Sequence, residues 1–446
     1  IQILGDRHRN VIHLGERECS VQRRNQKVVE ESPSPLVDAQ MRAAMGAQAV
    51  ALARQVGYDS AGTVEFVVGQ DRAFYFLEMN TRLQVEHPVT ELVTGLDLVE
   101  EMIRVAAGER LRHSQNDIVL KGWAIESRIC AEDPEHGFLP SAGRLEFYRP
   151  PAPQPDRLRI DDGVREGDDI PALYDPLIAK LITHAQTRAD AIELQARALD
   201  CFAVEGIATN ITFLSALHRN PRWLEGALST GLIAAEFGAR FQQRLCESDE
   251  LLMRAAVAAA IHLTSHYRWA RENSPPSSVA LSVLQDSDRI DLTAISGRDG
   301  VVVEFNGRCT AIATDWQPGD PLWHGTIDHA PAHFKVTIAD HSIALSQGGV
   351  RSSLRVLTPR QADLFKQIGP GGELYEMSEL RSPLLGVFVR WMVAEGDHVA
   401  IGDALCVVEA MKMEMVLRAE RAGVVARLAV APGVSIAAGQ ILMSIA

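Results

Sequence analysis

The sequence predicts a multidomain α+β protein whose last part is an all-β sandwich. Its 446 residues are enough for about two to four domains with cores of their own. Strands and helices alternate over the first half, one long helix precedes a run of strands in the middle, and a duplicated strand pattern closes the chain. We therefore expect three domains, over residues 1–247, 248–375 and 380–446.

Helices and strands alternate in the first domain. Asp38–Val56 has helical periodicity. Asp97–Ala107 begins with Asp97 as N-cap and has Glu100 three residues later, an arrangement typical of a helix start. Residues 118–185 are rich in strand patterns. Further helices are predicted over Arg188–Val204 and Ile211–His218.

A hairpin is predicted next to a first candidate site. Apolar residues alternate over Thr63–Val68 and Ala73–Glu78, with a glycine-containing turn between them. Glu65 and Glu78 then lie opposite each other on adjacent antiparallel strands. Paired carboxylates, with Asn80 close by, form a cluster of oxygen ligands suited to Mg²⁺ or Mn²⁺.

Polar residues continue beyond this hairpin. On an extended strand they would share one face with Glu78. Most pairs of glutamates are simply cross-strand charges on a solvated face. Here the density of polar side chains of both signs favours a site that binds an anion beside the metal. The alternating residues are Asn80, Arg82, Gln84 and Glu86.

The middle domain is predicted to hold one long alanine-rich helix, Asp249–Glu272, followed by short strands up to about Leu357. The proline-containing segment Asn273–Ser278 ends the helix. One helix followed by an antiparallel sheet predicts an α+β module with the sheet curled around the helix. Ile368–Glu379 is expected to link this module to the last domain.

The last domain consists of two similar halves. Alternating apolar residues punctuated by glycines predict short strands joined by tight turns. The halves can pack face to face as a small β-sandwich, with Lys412 at the hairpin between them. Identical residues recur at one constant offset in the pairs Gly386/Gly423, Val387/Val424, Arg390/Arg427, Val393/Val430, Ala394/Ala431, Gly396/Gly433, Gly402/Gly439 and Leu405/Leu442.

Lys412 is flanked by Met411 and Met413. A turn lysine taken at random is most often a solvated side chain. Two large apolar methionines beside one are costly without a purpose, so the pattern favours recognition of this lysine by an enzyme. The motif resembles that of the biotin carboxyl carrier domain, whose Ala-Met-Lys-Met lysine carries covalent biotin. The resemblance implies that a biotin protein ligase attaches biotin to Lys412.

The first domain resembles the C-terminal part of biotin carboxylase domains, which are ATP-grasp enzymes. The resemblance implies a partial ATP-grasp fold that uses ATP, Mg²⁺ or Mn²⁺, and bicarbonate. The family's glycine-rich ATP lid precedes the region where this chain starts. We therefore expect a longer gene product, and residues 1–446 alone are expected not to carboxylate biotin. The matching motifs are Gln22–Glu31, Glu78–Pro88, Glu126–Pro134 and Phe138–Ser141.

The resemblance also implies roles for individual residues. Glu86 is the base that deprotonates bicarbonate, and Arg128 stabilises the biotin enolate that accepts the carboxyl group. The implied metal ligands are Glu65, Glu78 and Asn80. The implied bicarbonate contacts are Lys27, Arg82, Gln84 and Val85. The other implied cofactor contacts are Gln22, Asp175 and Asn25, which stands where the family usually has histidine.

The middle domain is too short for a carboxyltransferase barrel of about 250 residues, so the transferase must be another chain. The chain resembles biotin-dependent acyl-CoA carboxylase α-subunits, most of all those for propionyl-CoA, in Tyr174–Lys180, Val204–Leu214 and Asp315–Gly325. This implies that residues 248–375 dock a carboxyltransferase β-subunit in an α/β hetero-oligomer. Methylcrotonyl-, geranyl- and long-chain acyl-CoA carboxylases stay open as alternatives, as does a non-catalytic biotin carrier or scaffold.

Charge and cysteine usage exclude several classes of function. The net charge of −14 argues against a nucleic-acid or anionic-membrane partner. The apolar run Ala255–Leu263 is too short to span a bilayer. The six cysteines form no CxxC motif, which fits a reducing compartment and predicts no zinc site. We expect the cytoplasm if the source is bacterial and the mitochondrial matrix if it is eukaryotic.

Overall fold

The computed structural model describes residues 1–446 except 70, 172–173, 239, 245, 247, 268–277, 287, 298–299, 340–341, 369–377, 383–385, 411–412, 420, 438 and 446. Lys412, the expected biotin attachment residue, lies outside the described residues, as does most of the predicted linker. Among the helices that are described, none is both long and apolar enough to cross a bilayer.

The chain begins with an antiparallel sheet of strand order β2-β1-β5-β6. The Asp38 side chain accepts a hydrogen bond from the Met41 amide at 2.9 Å and begins helix α1, as predicted. Asp97 likewise caps α3 through the Glu100 amide. The elements are β1 (Gln2–Gly5), β2 (Val11–His13), β3 (Glu18–Arg23), β4 (Gln26–Ser32), α1 (Ala39–Gln55), β5 (Ser60–Val68), β6 (Phe74–Asn80), α2 (His87–Thr94) and α3 (Leu98–Ala106).

A second sheet joins β3 and β4 to later strands, in the order β12-β14-β7-β4-β3. Helix α4 packs on β14 and β7 of this sheet. The elements are β7 (Trp123–Cys130), β8 (Glu132–Asp133), β9 (Leu139–Pro140), β10 (Gly143–Arg144), β11 (Phe147–Arg149), β12 (Leu158–Asp162), β13 (Asp169–Ile170), β14 (Leu177–Ala185), α4 (Arg188–Asp200), β15 (Ala203–Glu205), α5 (Ile211–Leu217), α6 (Pro221–Leu224) and α7 (Leu232–Phe237).

The helix predicted over Arg188–Val204 is shorter than expected. Helix α4 ends at Asp200, and Ala203–Glu205 pairs with β11 instead. This pairing satisfies the backbone groups that a longer helix would have used, and it buries Phe202 and Ala203. The helix predicted over Ile211–His218 is observed as α5.

The middle of the chain is a closed antiparallel barrel in which β16 pairs with both β17 and β23. Helix α8 contacts β16–β19 and β22–β23, and its residues 255–260, which are alanines apart from Val257, are buried against them. The sheet thus closes fully around one apolar helix. The elements are α8 (Ser248–Tyr267), β16 (Val279–Gln285), β17 (Asp288–Gly297), β18 (Gly300–Phe305), β19 (Arg308–Thr314), β20 (Leu322–Ile327), β21 (Ala330–Ala339), β22 (Ser342–Gln347), β23 (Val350–Leu357) and α9 (Pro359–Ile368).

The two tryptophans of the Asp315–Gly325 segment belong to the barrel core. Trp316 is 4% exposed and Trp323 is fully buried. Trp323 packs beside Phe334, with ring centroids 5.8 Å apart. The tryptophans therefore fill the interior, and they present no surface to a partner.

The last part is a sandwich of two four-stranded sheets, as the duplication predicted. Gly396 and its counterpart Gly433 have φ angles of +94° and +83°, a conformation that favours glycine. Ala410 pairs with Met413 across the two strands that flank residues 411–412. The elements are β24 (Ser378–Arg381), β25 (Gly386–Trp391), β26 (His398–Val399), β27 (Ala404–Ala410), β28 (Met413–Arg418), β29 (Gly423–Leu428), β30 (Ser435–Ile436) and β31 (Ile441–Ile445).

Candidate active site

A buried carboxylate surrounded by cations marks the candidate active site. Glu86, the residue that precedes helix α2, is 2% exposed. The Lys27 ammonium on β4 lies 2.5 Å from its Oε1, and Arg128 on β7 donates to its Oε2 at 3.1 Å. A guanidinium nitrogen of Arg17 lies 3.9 Å from Oε1. Segments far apart in the chain therefore place three positive charges around one negative charge.

The surrounding charges decide the protonation of Glu86. Burial by itself raises the pKa of this carboxyl, but Arg17 and Lys27 outweigh burial and lower the pKa to about 2. Burial lowers the pKa of Lys27, but the neighbouring Cys19 and Glu86 raise it above its usual range overall. Glu86 is therefore ionised and a weak base as long as Lys27 holds it. An anion that drew Lys27 away would raise the pKa of Glu86 and make it a stronger base.

The predicted pair of carboxylates is present. Glu65 and Glu78 are directly opposite each other on β5 and β6. Glu65 Oε1 accepts hydrogen bonds from Lys27 at 3.0 Å and from Gln84 at 3.1 Å. The Asn80 amide donates to the exposed Glu78 at 3.1 Å. Two carboxylates and an amide oxygen on adjacent strands fit the ligand preference of Mg²⁺.

The shared strand face predicted beyond Glu78 is wrong. Strand β6 ends at Asn80, and the chain turns before helix α2, which has Pro88 in its first turn. Proline cannot donate to a strand ladder and suits the start of a helix, so the strand does not continue. Gln84 and Glu86 reach the interior through this turn, whereas Arg82 is exposed and donates to the Leu83 carbonyl at 3.3 Å.

A cleft lies beside this cluster. Lys27, Arg128 and Asp175 all line it, together with Arg23. Asp175 is exposed, and its side chain accepts a hydrogen bond from the Leu177 amide at 3.0 Å, which fixes the loop before β14. The cleft therefore gives a small polar group access to the Arg128 guanidinium.

The other predicted contacts lie around this centre. The Val85 carbonyl accepts a hydrogen bond from Lys180 at 3.0 Å. Gln22 is opposite Lys27 across β3 and β4. Asn25 is at the exposed tip of that hairpin with a φ of +64°, a conformation that asparagine tolerates better than most residues. The backbone conformation at the hairpin tip is thus a structural reason for asparagine at position 25.

The sequence analysis missed two buried residues that hold the site together. Arg17 donates to Gln84 at 2.9 Å and to Thr63 at 2.8 Å. Glu30, fully buried, accepts from the Arg128 Nε at 2.7 Å and so fixes the direction of that guanidinium. The sequence pattern that could have predicted Glu30 is a charged residue directly after two valines in a buried strand, because an unpaired buried charge is costly.

A second buried carboxyl was not predicted from the sequence either. Glu126 is opposite Glu30 across β4 and β7 and is fully buried. Among the described residues, neither of its side-chain oxygens has a hydrogen-bond partner. Burial, and secondarily the charge of Glu30, raise the pKa of Glu126 well above 4.5. Burial also raises the pKa of Glu30 to about 7 despite Arg128. Burial therefore favours the neutral form of Glu126.

Family models match successive parts of the chain. The first part matches a family described as carbamoyl-phosphate synthase L chain, ATP binding domain, over residues 1–114. The biotin carboxylase C-terminal domain matches residues 126–235, and the propionyl-coenzyme A carboxylase BT domain matches 255–368. The family described as biotin-requiring enzyme matches residues 378–445.

Curated relatives align with the whole chain. The propionyl-CoA carboxylase alpha chain of Ruegeria pomeroyi is 47% identical, with 99% of this chain and 69% of the relative covered. The mitochondrial propionyl-CoA carboxylase alpha chain of Homo sapiens is 41% identical, with 100% of this chain and 63% of the relative covered. A mitochondrial methylcrotonoyl-CoA carboxylase subunit alpha of Dictyostelium discoideum is 36% identical, with 94% and 62% covered. The chain thus spans about two thirds of the length of these relatives.

Solved structures resemble the first part of the chain. The biotin carboxylase domain of 2-oxoglutarate carboxylase from Hydrogenobacter thermophilus, in complex with MgADP, ADP and bicarbonate, is 44% identical with a TM-score of 0.53. The match covers 55% of this chain and 53% of that one. A biotin carboxylase from Campylobacter jejuni is 44% identical with a TM-score of 0.51, covering 53% and 52%.

Proposed function

Because this chain belongs to the family of propionyl-CoA carboxylase α chains, we propose that it carries biotin and carboxylates it with ATP and bicarbonate in a propionyl-CoA carboxylase. The observation that carries the proposal is the buried Glu86 carboxylate, held between Lys27 and Arg128 beside the Glu65/Glu78 pair. A base, fixed cations and a set of oxygen ligands are the groups that activation of bicarbonate by ATP requires. The bacterial and mitochondrial relatives fit a place in the bacterial cytoplasm or the mitochondrial matrix.

Bicarbonate activation is assigned to the Glu86 cluster. Lys27 and the exposed Arg82 supply the cations that bind the bicarbonate anion, and Gln84 and Val85 border it. Lys27 leaves Glu86 for the anion, the pKa of Glu86 rises, and Glu86 then accepts the bicarbonate proton. The carbonate attacks the γ-phosphate of ATP, the bond to ADP breaks, and carboxyphosphate forms, from which phosphate leaves when the carboxyl group is transferred. A divalent cation held by Glu65, Glu78 and Asn80 supplies neutralisation of phosphate charge when it is bound.

Transfer of the carboxyl group is assigned to the cleft beside Arg128. Biotin on Lys412 supplies the nitrogen that accepts the carboxyl group. Glu30 holds the Arg128 guanidinium in place from behind, so its remaining donors can stabilise negative charge that develops in the cleft. Asp175 also lines the cleft, and we assign it a contact with the biotin that enters there.

The test compares two variants of the full-length α chain, Glu86→Gln and Arg128→Ala. Loss of the base should lower bicarbonate-dependent ATP cleavage about 10²–10⁴-fold. Arg128→Ala should still cleave ATP with bicarbonate present but transfer little carboxyl group to biotin. The measurement is the ratio of phosphate released to carboxybiotin formed.

Matched controls are Glu225→Gln and Arg149→Ala, which change exposed residues of the same domain and should leave that ratio unchanged. Equal ratios in the two site variants would contradict the division of roles. A full-length chain that accepts biotin but cleaves no ATP would favour the carrier or scaffold instead. Parallel assays with propionyl-, methylcrotonyl- and acetyl-CoA in the complete complex should show preference for propionyl-CoA.

The barrel is the proposed docking domain for a carboxyltransferase β-subunit in an α/β hetero-oligomer. Support comes from the BT-domain match over residues 255–368 and from the lack of room for a transferase in this segment. Replacing residues 248–375 by a flexible Gly/Ser linker should abolish co-purification of the β-subunit. Lys412 should still be biotinylated by the biotin protein ligase. Retained β-subunit binding would indicate that the interface lies on the first domain instead.

A further inference from the structure

We propose that Cys201, His324 and His333 bind a transition-metal dication of the Zn²⁺ type that ties the first domain to the barrel. Cys201 directly follows helix α4, whereas the histidines lie on barrel strands β20 and β21. One ligand atom from each side chain lies within 4.8 Å of the others. Thiolate and imidazole are ligands that Zn²⁺ prefers.

The barrel register places the two histidines. His324 and His333 are direct partners across β20 and β21, and their Nδ1 atoms are 2.8 Å apart. The Nδ1–H of one ring therefore donates a hydrogen bond to the Nδ1 of the other. Zn²⁺ with bonds of about 2.0–2.3 Å holds its ligand atoms about 3.3–3.7 Å apart. An ion would replace the shared hydrogen, the two Nδ1 atoms would move about 0.5 Å apart, and the thiol would move to bonding distance.

The third ligand is already held against the barrel. Asp200, which ends helix α4, accepts a hydrogen bond at 3.0 Å from the amide of Gly348 in the turn between β22 and β23. Arg219 pairs with the same carboxylate at 2.7 Å. Lys335 shares a face of β21 with His333 and is close enough to interact with Asp200. The charges beside the three ligands are thus of both signs, and the contact between the domains fixes the position of Cys201.

The ligand set indicates which ions would bind. Two imidazoles and one thiolate leave a fourth position of a tetrahedron for water. Sulfur and nitrogen ligands select Zn²⁺ or Co²⁺ over Mg²⁺, so this site differs in kind from the oxygen ligands at Glu65 and Glu78. The sequence analysis predicted no zinc site because these ligands form no short motif, and folding alone brings them together.

The test titrates the tag-free, metal-depleted chain with Co²⁺ and then displaces Co²⁺ with Zn²⁺. We expect one Co²⁺ per chain, with a sulfur-to-cobalt charge-transfer band and visible bands typical of tetrahedral coordination. Cys201→Ser should abolish the charge-transfer band. His324→Gln and His333→Gln should each weaken binding by at least ~10–100-fold, the loss seen when only a supporting partner is removed.

Matched controls keep the result specific. Cys309→Ser and His329→Gln change an exposed cysteine and an exposed histidine of the same barrel and should leave both the band and the affinity unchanged. Zn²⁺ should raise the thermal unfolding midpoint of the unaltered chain but not that of Cys201→Ser. Absence of the charge-transfer band in the unaltered chain, or its persistence in Cys201→Ser, would overturn the proposal. Thermal unfolding without metal checks that each variant is folded.

Discussion

The Glu86 cluster and the C-terminal sandwich bring their functional residues together in different ways. In the cluster, Lys27, Glu86 and Arg128 come from separate elements and meet in the interior. In the sandwich, the chemistry is assigned to Lys412, between two strands that pair with each other. A substitution in the cluster therefore changes the pKa and hydrogen bonds of its neighbours. A substitution at Lys412 should remove biotin attachment without changing other functional residues.

The largest effect is expected at Lys412. Lys412→Arg keeps the positive charge but removes the amine that forms the amide with biotin. In the full-length α chain, biotinylation, measured by a streptavidin blot, should disappear completely while ATP cleavage with free biotin is retained. Lys366→Arg, at an exposed lysine of α9, is the control. A persistent blot signal would mean that another lysine carries biotin.

A smaller effect is expected from two arginines, and comparing them should distinguish a residue that stabilises the fold from one that binds bicarbonate. Arg17 and Glu86 are both nearly fully buried, so Arg17→Met leaves buried acceptors without a partner. We expect a loss of about 3–5 kcal/mol in the free energy of unfolding. Arg82→Met changes an exposed side chain and should alter stability by less than about 0.5 kcal/mol.

In kinetics we expect the reverse order, with the larger increase of the KM for bicarbonate in Arg82→Met. In the full-length α chain, Arg82→Met should raise the KM for bicarbonate by about 10–100-fold, the loss of one hydrogen bond to an anion. Chemical unfolding and bicarbonate titration together measure both effects. A strongly destabilised Arg82→Met with an ordinary KM would show that Arg82 is structural and would remove it from the proposed bicarbonate site.

The smallest effect is expected from Glu126, and it depends on pH. Because burial raises its pKa well above 4.5 in the folded chain, the folded state retains a proton that the unfolded state loses. Its contribution to stability is therefore complete below about pH 4.5 and declines as the pH rises toward the folded pKa. Glu126→Gln, which keeps a neutral group, should remove this decline.

Thermal unfolding across the pH range tests this prediction. The free energy of unfolding of Glu126→Gln should match that of the unaltered chain within about 1 kcal/mol near pH 5, and the variant should be relatively more stable near pH 9. Glu225→Gln, at an exposed glutamate, should leave the pH dependence unchanged. An unchanged slope in Glu126→Gln would mean that Glu126 is ionised inside the fold.

Local patterns were predictable from the sequence. The helix over Asp38–Val56, the Asp97 cap, the Glu65–Glu78 pairing and the repeated sandwich are all confirmed. Each depends on residues close in the chain or on a repeat that the sequence displays directly. The end of helix α4 was wrong because the pairing of Ala203–Glu205 with β11 is a long-range contact that propensity does not report.

The electrostatic structure of the site was less predictable. The alternation of polar residues predicts Glu86 on a strand face, whereas a turn and Pro88 bring it into the interior. Arg17 and Glu30 escaped notice because their partners, Gln84 and Arg128, are distant in the sequence. Residue types at short spacing therefore predict the candidate residues, whereas tertiary contacts set the pKa values of those residues.

The closure of the barrel has a consequence for biosynthesis. Ser282 on the first strand pairs with Leu357 on the last, so the ring cannot close until nearly the whole segment has left the ribosome. Until then helix α8, whose alanines are buried in the finished barrel, has an apolar surface without its cover. This segment is therefore the part of the nascent chain that most needs protection from aggregation while it is being made.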